Sequence, residues 1–152
     1  PQEAAIKIDD DVPFEIASLI GCGVSTGVGA AINTAEVEPG SKVVVFGCGG
    51  VGISVIQGAK VAGASVIVAV DLVDGKLEMA KQFGATHAVK PDDLAALQAE
   101  LTGDGFDYAF EAIGVPAVMR QAHCVQDCQP AGRTPCRFFT RRFPSKCRRI
   151  LA

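Results

Sequence analysis

The stretch Lys42-Val43-Val44-Val45-Phe46-Gly47-Cys48-Gly49-Gly50-Val51-Gly52 constrains the fold more than any other. An apolar run without polar alternation suits a strand covered on both faces, as in a parallel sheet. It leads into the pattern G-x-G-x-x-G. The residues from Gly50 to Ala62 then carry Val51, Ile53, Val55, Ile56, Ala59 and Val61, as a helix packed closely on that sheet would. Glycine is frequent here, 16 in the first 119 residues, so the pattern alone says little. Its position says more. A second apolar run, Val66 to Val70, ends on Asp71, 19 residues past Gly52. Strand, glycine turn, helix, strand and acid follow in the order that a dinucleotide-binding unit requires.

The rest of the chain continues the alternation. Leu77, Met79, Ala80 and Phe83 predict a helix from about Gly75, closed by Gly84. Ala88-Val89 is a short third strand, with His87 read as an ordinary strand-edge residue. Pro91-Asp92-Asp93 opens another helix, its acids favourable in the first turn. Phe106 to Phe110 gives a fourth strand and Pro116 a further helix. Short connections in this order predict an α/β fold, a Rossmann-type doubly wound parallel sheet that is partial at about four strands. Upstream, Pro13 to Ala35 reads as two helical pieces separated by the loop Gly21-Cys22-Gly23.

Each motif residue has a physical task. Gly47 permits the tight turn, Gly49 lets backbone approach a pyrophosphate, and Gly52 allows close helix–strand packing. The helix opening at Gly50 and Val51 offers unpaired N–H groups to phosphates. Asp71 is placed to accept hydrogen bonds from both adenosine ribose hydroxyls. A 2′-phosphate there would set like charges together, costing up to about 4 kcal/mol at 4 Å and an effective dielectric of 20. No arginine is near to relieve it, so NAD is expected rather than NADP. The bland alternatives are a glycine turn with no ligand and a surface acid ending a strand.

Composition sets limits and shows a break. With 152 residues, 49% of them hydrophobic, and a mean hydropathy of +0.30, the chain can bury a core of about one domain. No 18-residue window is uninterruptedly apolar, which argues against a membrane-spanning helix of the usual kind. Pro1 to Val12 shows no basic region leading into an apolar run, so no export signal is expected. Before Arg120 there are six lysines, no arginine and 16 acids, a net of −10. From Arg120 onward there are seven arginines, one lysine and one acid, a net of +7. Residues 123–152 therefore read as an atypical, divergent basic C-terminal tail. Three readings stay open for it: a shifted reading frame, a loosely folded terminus, or a functional basic or metal-binding segment. Only Arg137-Phe138-Phe139-Thr140 there has strand character. Its cysteine spacings fit no paired zinc knuckle, and nucleic acid is not the expected partner. Without a fifth strand from this tail, the edge of the fourth strand would stay unpaired.

A cysteine between two glycines, Cys22, is read from chemistry alone either as a small buried filler or as a soft metal ligand. One cysteine does not make a zinc site, which wants three protein ligands plus water. Here the chain resembles the zinc-dependent medium-chain alcohol dehydrogenases. The resemblance is carried by Leu19-Ile20-Gly21-Cys22-Gly23-Val24-Ser25-Thr26-Gly27, Val45 to Gly52, Ile67 to Asp71, Phe83-Gly84-Ala85-Thr86 and Phe110-Glu111-Ala112-Ile113-Gly114. It runs from about Ile6 to Ala122, and its look is of the branch with liver-type and glutathione-dependent formaldehyde-oxidising enzymes.

By that resemblance Cys22 matches a ligand of the catalytic zinc. Thr26 and Val51 match residues that hold the nicotinamide ring for hydride transfer, which places Thr26 at a catalytic position. Asp71 matches the ribose acid, Lys76 a lysine touching the same ribose, and Ile113 an apolar wall of the adenine pocket. Taken without the family, Thr26 could be a helix-start hydroxyl, Lys76 a solvated helix residue and Ile113 a core residue. The resemblance implies NAD and zinc as cofactors, a small alcohol or aldehyde as substrate, a cytoplasmic setting and a homo-oligomer when full length. It divides the chain into residues 1–23, the end of a catalytic domain with the metal-ligand loop, 24–122, the NAD-binding domain, and the tail. The remaining zinc ligands and the proton relay belong upstream of Pro1 in such enzymes. A fragment without catalysis of its own is therefore expected. A zinc-free dinucleotide-binding module is the alternative.

Overall fold

The computed structural model describes residues 5–103, 105–125 and 150–151. Helix α1 (Phe14–Leu19) and helix α2 (Ser25–Gly29) come first, followed by strand β1 (Lys42–Phe46), helix α3 (Gly50–Val61) and strand β2 (Val66–Val70). Helix α4 (Asp74–Phe83), strand β3 (His87–Val89) and a 3₁₀ turn at Pro91–Asp93 lead into helix α5 (Leu94–Leu101). Strand β4 (Tyr108–Glu111) and helix α6 (Pro116–Val125) follow, and Ile150–Leu151 adds a two-residue strand, β5. The sheet order is β3-β2-β1-β4-β5, with every pairing parallel.

The chain winds outward from β1 through β2 to β3, then crosses to the other side of β1 to lay down β4. That reversal puts helices on both faces and leaves a crevice at the carboxyl ends of β1 and β4. The apolar runs are buried on both sides, as parallel strands under two helical layers must be. Val43 and Val45 point into one core with Ile56, Ala59, Ile67, Leu77 and Phe110. Val44 and Phe46, one residue out of phase, point into the other with Val68, Val70, Leu94 and Phe106.

Glycine ends two helices where sequence puts it. Gly63, just past α3, has φ +85°, and Gly84, past α4, has φ +121°. Side chains are strained in this region of backbone space, so the stop is built into the residue.

Three expectations change. Gly21-Cys22-Gly23 is helical rather than a loop: a π turn at Ile20–Val24 joins α1 to α2, and a second at Ala30–Thr34 follows, giving one helix over Phe14–Thr34. Glycine in a helix costs only about 1 kcal/mol against alanine, and the helix gains its packing elsewhere. A Cβ on Gly58 of α3 would lie 2.9 Å from the Ala31 Cβ and 3.0 Å from the Val28 Cα, so the two helices cross backbone to backbone. Second, this 21-residue helix is long and apolar enough to cross a membrane by length and composition. A count of uninterrupted apolar residues misses it because its glycines, serines and threonines break the run. Its second half is nonetheless committed to protein, with Ala30 and Ala31 buried in the same core as Ile56 and Ala59.

Third, the sheet has a fifth strand. Ile150 and Leu151 pair with Phe110 and Glu111, so the tail does cover part of the β4 edge. Arg137-Phe138-Phe139-Thr140, the expected strand-like stretch, lies outside the described residues. His87 sits in β3 at the sheet edge.

Phe110 is fully buried in the middle of the sheet. Phe110→Ala should destabilise the chain by about 3–5 kcal/mol, read as a lowered midpoint in urea with an unchanged m-value.

Candidate coenzyme-binding site

The phosphate turn is assembled by contacts that only glycine allows. Gly47 has φ +93° and closes the turn at the end of β1. A Cβ on Gly52 would lie on the Gly47 carbonyl oxygen, so the first turn of α3 rests directly on that backbone. Gly49 and Gly50 differ: a Cβ on either would meet nothing within 4 Å, and both residues are exposed. Here glycine leaves room for something from solvent. Gly49 caps α3 without any side-chain hydrogen bond. The first N–H groups of a 12-residue helix therefore face the crevice with their partial positive charge.

Asp71 leaves the end of β2 and turns toward this loop. Its Oδ2 accepts the Cys48 N–H at 2.8 Å, and its Oδ1 accepts the Val73 N–H at 3.0 Å. The Lys76 ammonium stands 3.9 Å from Oδ2. Burial pushes the carboxyl upward, but the amides of Cys48, Val73 and Leu72 and the Lys76 charge outweigh it. The net effect holds Asp71 below the usual carboxylate range, so it is ionised at neutral pH.

Cys48 is buried inside the turn. Burial, then the Asp71 charge, push its thiol up to about 11, against a smaller opposite pull from Lys76. It is a small filler, not a nucleophile.

The nicotinamide-side candidates lie on the two helices of the crossing. Thr26 is exposed in α2 and Val51 is half-buried in the first turn of α3. Gly27, next to Thr26, is buried where any Cβ would strike the Val51 carbonyl oxygen. Cys22 sits about one turn before Thr26, exposed in the π turn, and the hydroxyl of Ser25, the first residue of α2, donates back to the Ile20 carbonyl. Among the described residues no group of three His, Cys, Asp or Glu side chains comes together around it. These residues do not by themselves fit a zinc ion, which needs three protein ligands.

Ile113 packs over the other side of the phosphate turn. A Cβ on Gly47 would lie 2.7 Å from its Cγ1, yet half of Ile113 is exposed. Leu72, Val73 and Val115 are exposed as well, at 76%, 50% and 42%. All four lie just past the carboxyl ends of β2 and β4, flanking the glycine turn with apolar surface suited to a flat heterocycle. Sequence reading named only Ile113 among them. An apolar residue directly after a strand-ending acid, as Leu72 is after Asp71, would have been the signal.

Two solution tests follow. In the native chain, alkylation followed by peptide mapping should modify Cys22 readily and leave Cys48 untouched until denaturant is added. Equal rates at both would contradict the buried placement. The depressed Asp71 pKa stabilises the fold fully above the ordinary value of 3.8, and that contribution is lost as pH falls below it. Asp71→Asn should flatten this acid limb in denaturation midpoints followed from pH 5 to pH 2.

Comparisons with known proteins place the family and the fold. A family described as zinc-binding dehydrogenase matches residues 50–134. The S-(hydroxymethyl)glutathione dehydrogenase of Paracoccus denitrificans is 45% identical over 80% of this chain and 35% of its own length. The class-3 alcohol dehydrogenase of Cereibacter sphaeroides is 48% identical over the same shares. Among solved structures, benzyl alcohol dehydrogenase from Acinetobacter calcoaceticus superposes with a TM-score of 0.75 at 43% identity, over 81% of this chain and 34% of that one. The chain thus spans about a third of the length of the relatives it matches. With the glycine turn, the strand-ending acid and the doubly wound sheet in place, the chain belongs to the zinc-binding dehydrogenases, within the zinc-dependent alcohol dehydrogenase family.

Proposed function

We propose that this chain is the coenzyme-binding part of an NAD- and zinc-dependent alcohol dehydrogenase, with residues 24–122 forming the dinucleotide unit. The helix Phe14–Thr34 runs across its start and carries Cys22 and Thr26 toward the remainder of the enzyme. One observation supports the reading above the others: an ionised Asp71, tied to the phosphate turn through the Cys48 N–H, stands beside the open backbone of Gly49 and Gly50. That is an acceptor for two ribose hydroxyls next to donors for a pyrophosphate.

In this reading Gly47, Gly49, Gly50 and Gly52 shape the pyrophosphate site. Asp71, with Lys76 beside it, takes the adenosine ribose, and Ile113 walls the adenine. Thr26 and Val51 hold the nicotinamide so that one face is presented. NAD, when bound, supplies the hydride acceptor, and the protein's part is to orient it. Cys22 is one ligand of a zinc whose other ligands lie outside this chain. The reaction of the whole protein is reversible oxidation of a primary or secondary alcohol, or of a hydroxymethyl adduct, to an aldehyde or ketone. A homo-oligomer in the cytoplasm is the setting that goes with it.

Titration of the purified 152-residue chain with NADH, followed by fluorescence, should show saturable binding and no alcohol turnover. NADPH should bind at least tenfold more weakly, and Asp71→Ala should erase most of that difference by losing NADH affinity. Equal affinity for the two coenzymes in the unmodified chain would refute the assignment of Asp71.

A further inference from the structure

Glu111 is a buried carboxylate to which the reading above gives no task. It ends β4 at 3% exposure, and Ser54 is the one other polar side chain buried to this degree among the described residues. A carboxylate withdrawn from water persists only where hydrogen bonds replace hydration. One oxygen supplies both of the bonds seen here. Glu111 Oε1 accepts the N–H of Ile113 at 2.9 Å and the N–H of Gly114 at 2.8 Å.

Those amides belong to the turn that leaves β4, where Gly114 takes φ +84°. The intervening Ala112 donates its N–H to the Phe46 carbonyl at 2.9 Å, fastening the same turn to β1. Ile113 is therefore held from below by the carboxylate and from the side by β1, with its Cγ1 against the backbone of Gly47. The wall of the adenosine side and the phosphate turn touch here, with no room for so much as a methyl group between them.

We propose that Glu111 is a positioning residue for the coenzyme. Its carboxylate clamps the Ile113–Gly114 turn and so keeps Ile113 pressed against Gly47 as a fixed wall beside the adenosine site. The proposal rests on the dinucleotide reading above. Glu111 touches no coenzyme atom and works through Ile113. Every ligand carrying adenosine, with or without nicotinamide, should feel its removal to the same extent.

The test is a double-mutant cycle on the full chain, with NADH and AMP as probes and urea midpoints measured alongside. Glu111→Ala should weaken both probes by about fivefold or more. Glu111→Gln, which keeps an acceptor oxygen at the same reach, should stay within about twofold of the parent. Ile113→Ala should weaken both probes too, and adding Glu111→Ala to it should cause little further loss. If Glu111→Ala does not fold, Glu111→Asp keeps the charge but withdraws the oxygen and should show the same loss. The proposal is overturned if Glu111→Ala or Glu111→Asp lowers stability while binding both probes like the parent. It is overturned equally if the losses at Glu111 and Ile113 multiply. A parent chain that binds neither NADH nor AMP overturns the dinucleotide reading itself, and this inference with it.

Discussion

Everything at the carboxyl end of the sheet depends on how closely the first turn of α3 rests on Gly47. The Gly52 position would put a Cβ on the Gly47 carbonyl oxygen, so the absence of one side chain sets the height of the helix above the strand. Because α3 lies that low, its N-terminal amides open into the crevice at the level of Gly49 and Gly50. The Asp71 carboxylate then reaches the Cys48 amide from the next strand. A side chain at Gly52 would have to lift α3 off the Gly47 carbonyl oxygen.

Two helices share this economy of side chains. Gly27 meets the Val51 backbone and Gly58 meets Val28 and Ala31, so the segment with Cys22 and Thr26 is set against α3 by main-chain contact. Contacts of this kind have few rotamers to adjust and little freedom to relax. The cysteine that resembles a metal ligand and the loop that resembles a phosphate cradle are therefore parts of one rigid arrangement.

The central strands, the glycine turn and the acid at position 71 were legible in the sequence because each is a local signal. Uninterrupted valine and isoleucine runs need cover on both faces, and glycine at 63 and 84 ends helices through its own backbone freedom. The Gly21-Cys22-Gly23 segment was misread for the opposite reason. Its helix is fixed by partners some 30 residues away in α3, and two glycines carry no local sign of that. The fifth strand, two residues long, is too short to leave any periodicity. Glu111 drew no reading of its own from the sequence; its burial comes from a turn that bends back over it, which spacing does not reveal. Leu72 was passed over because an exposed leucine is unremarkable until neighbouring exposed apolar residues are found along the same crevice.

The crossing at Gly27 also has a mechanical side. From Gly27 to Phe14 is 13 residues of helix, about 20 Å at 1.5 Å per residue. Because that crossing is backbone against backbone, the direction of the arm is set where it meets α3. Phe14, Ile16 and Leu19 on this arm are all exposed, so the arm carries an apolar edge away from the crossing. The missing side chain at Gly27 thus decides where an apolar edge about 20 Å away stands.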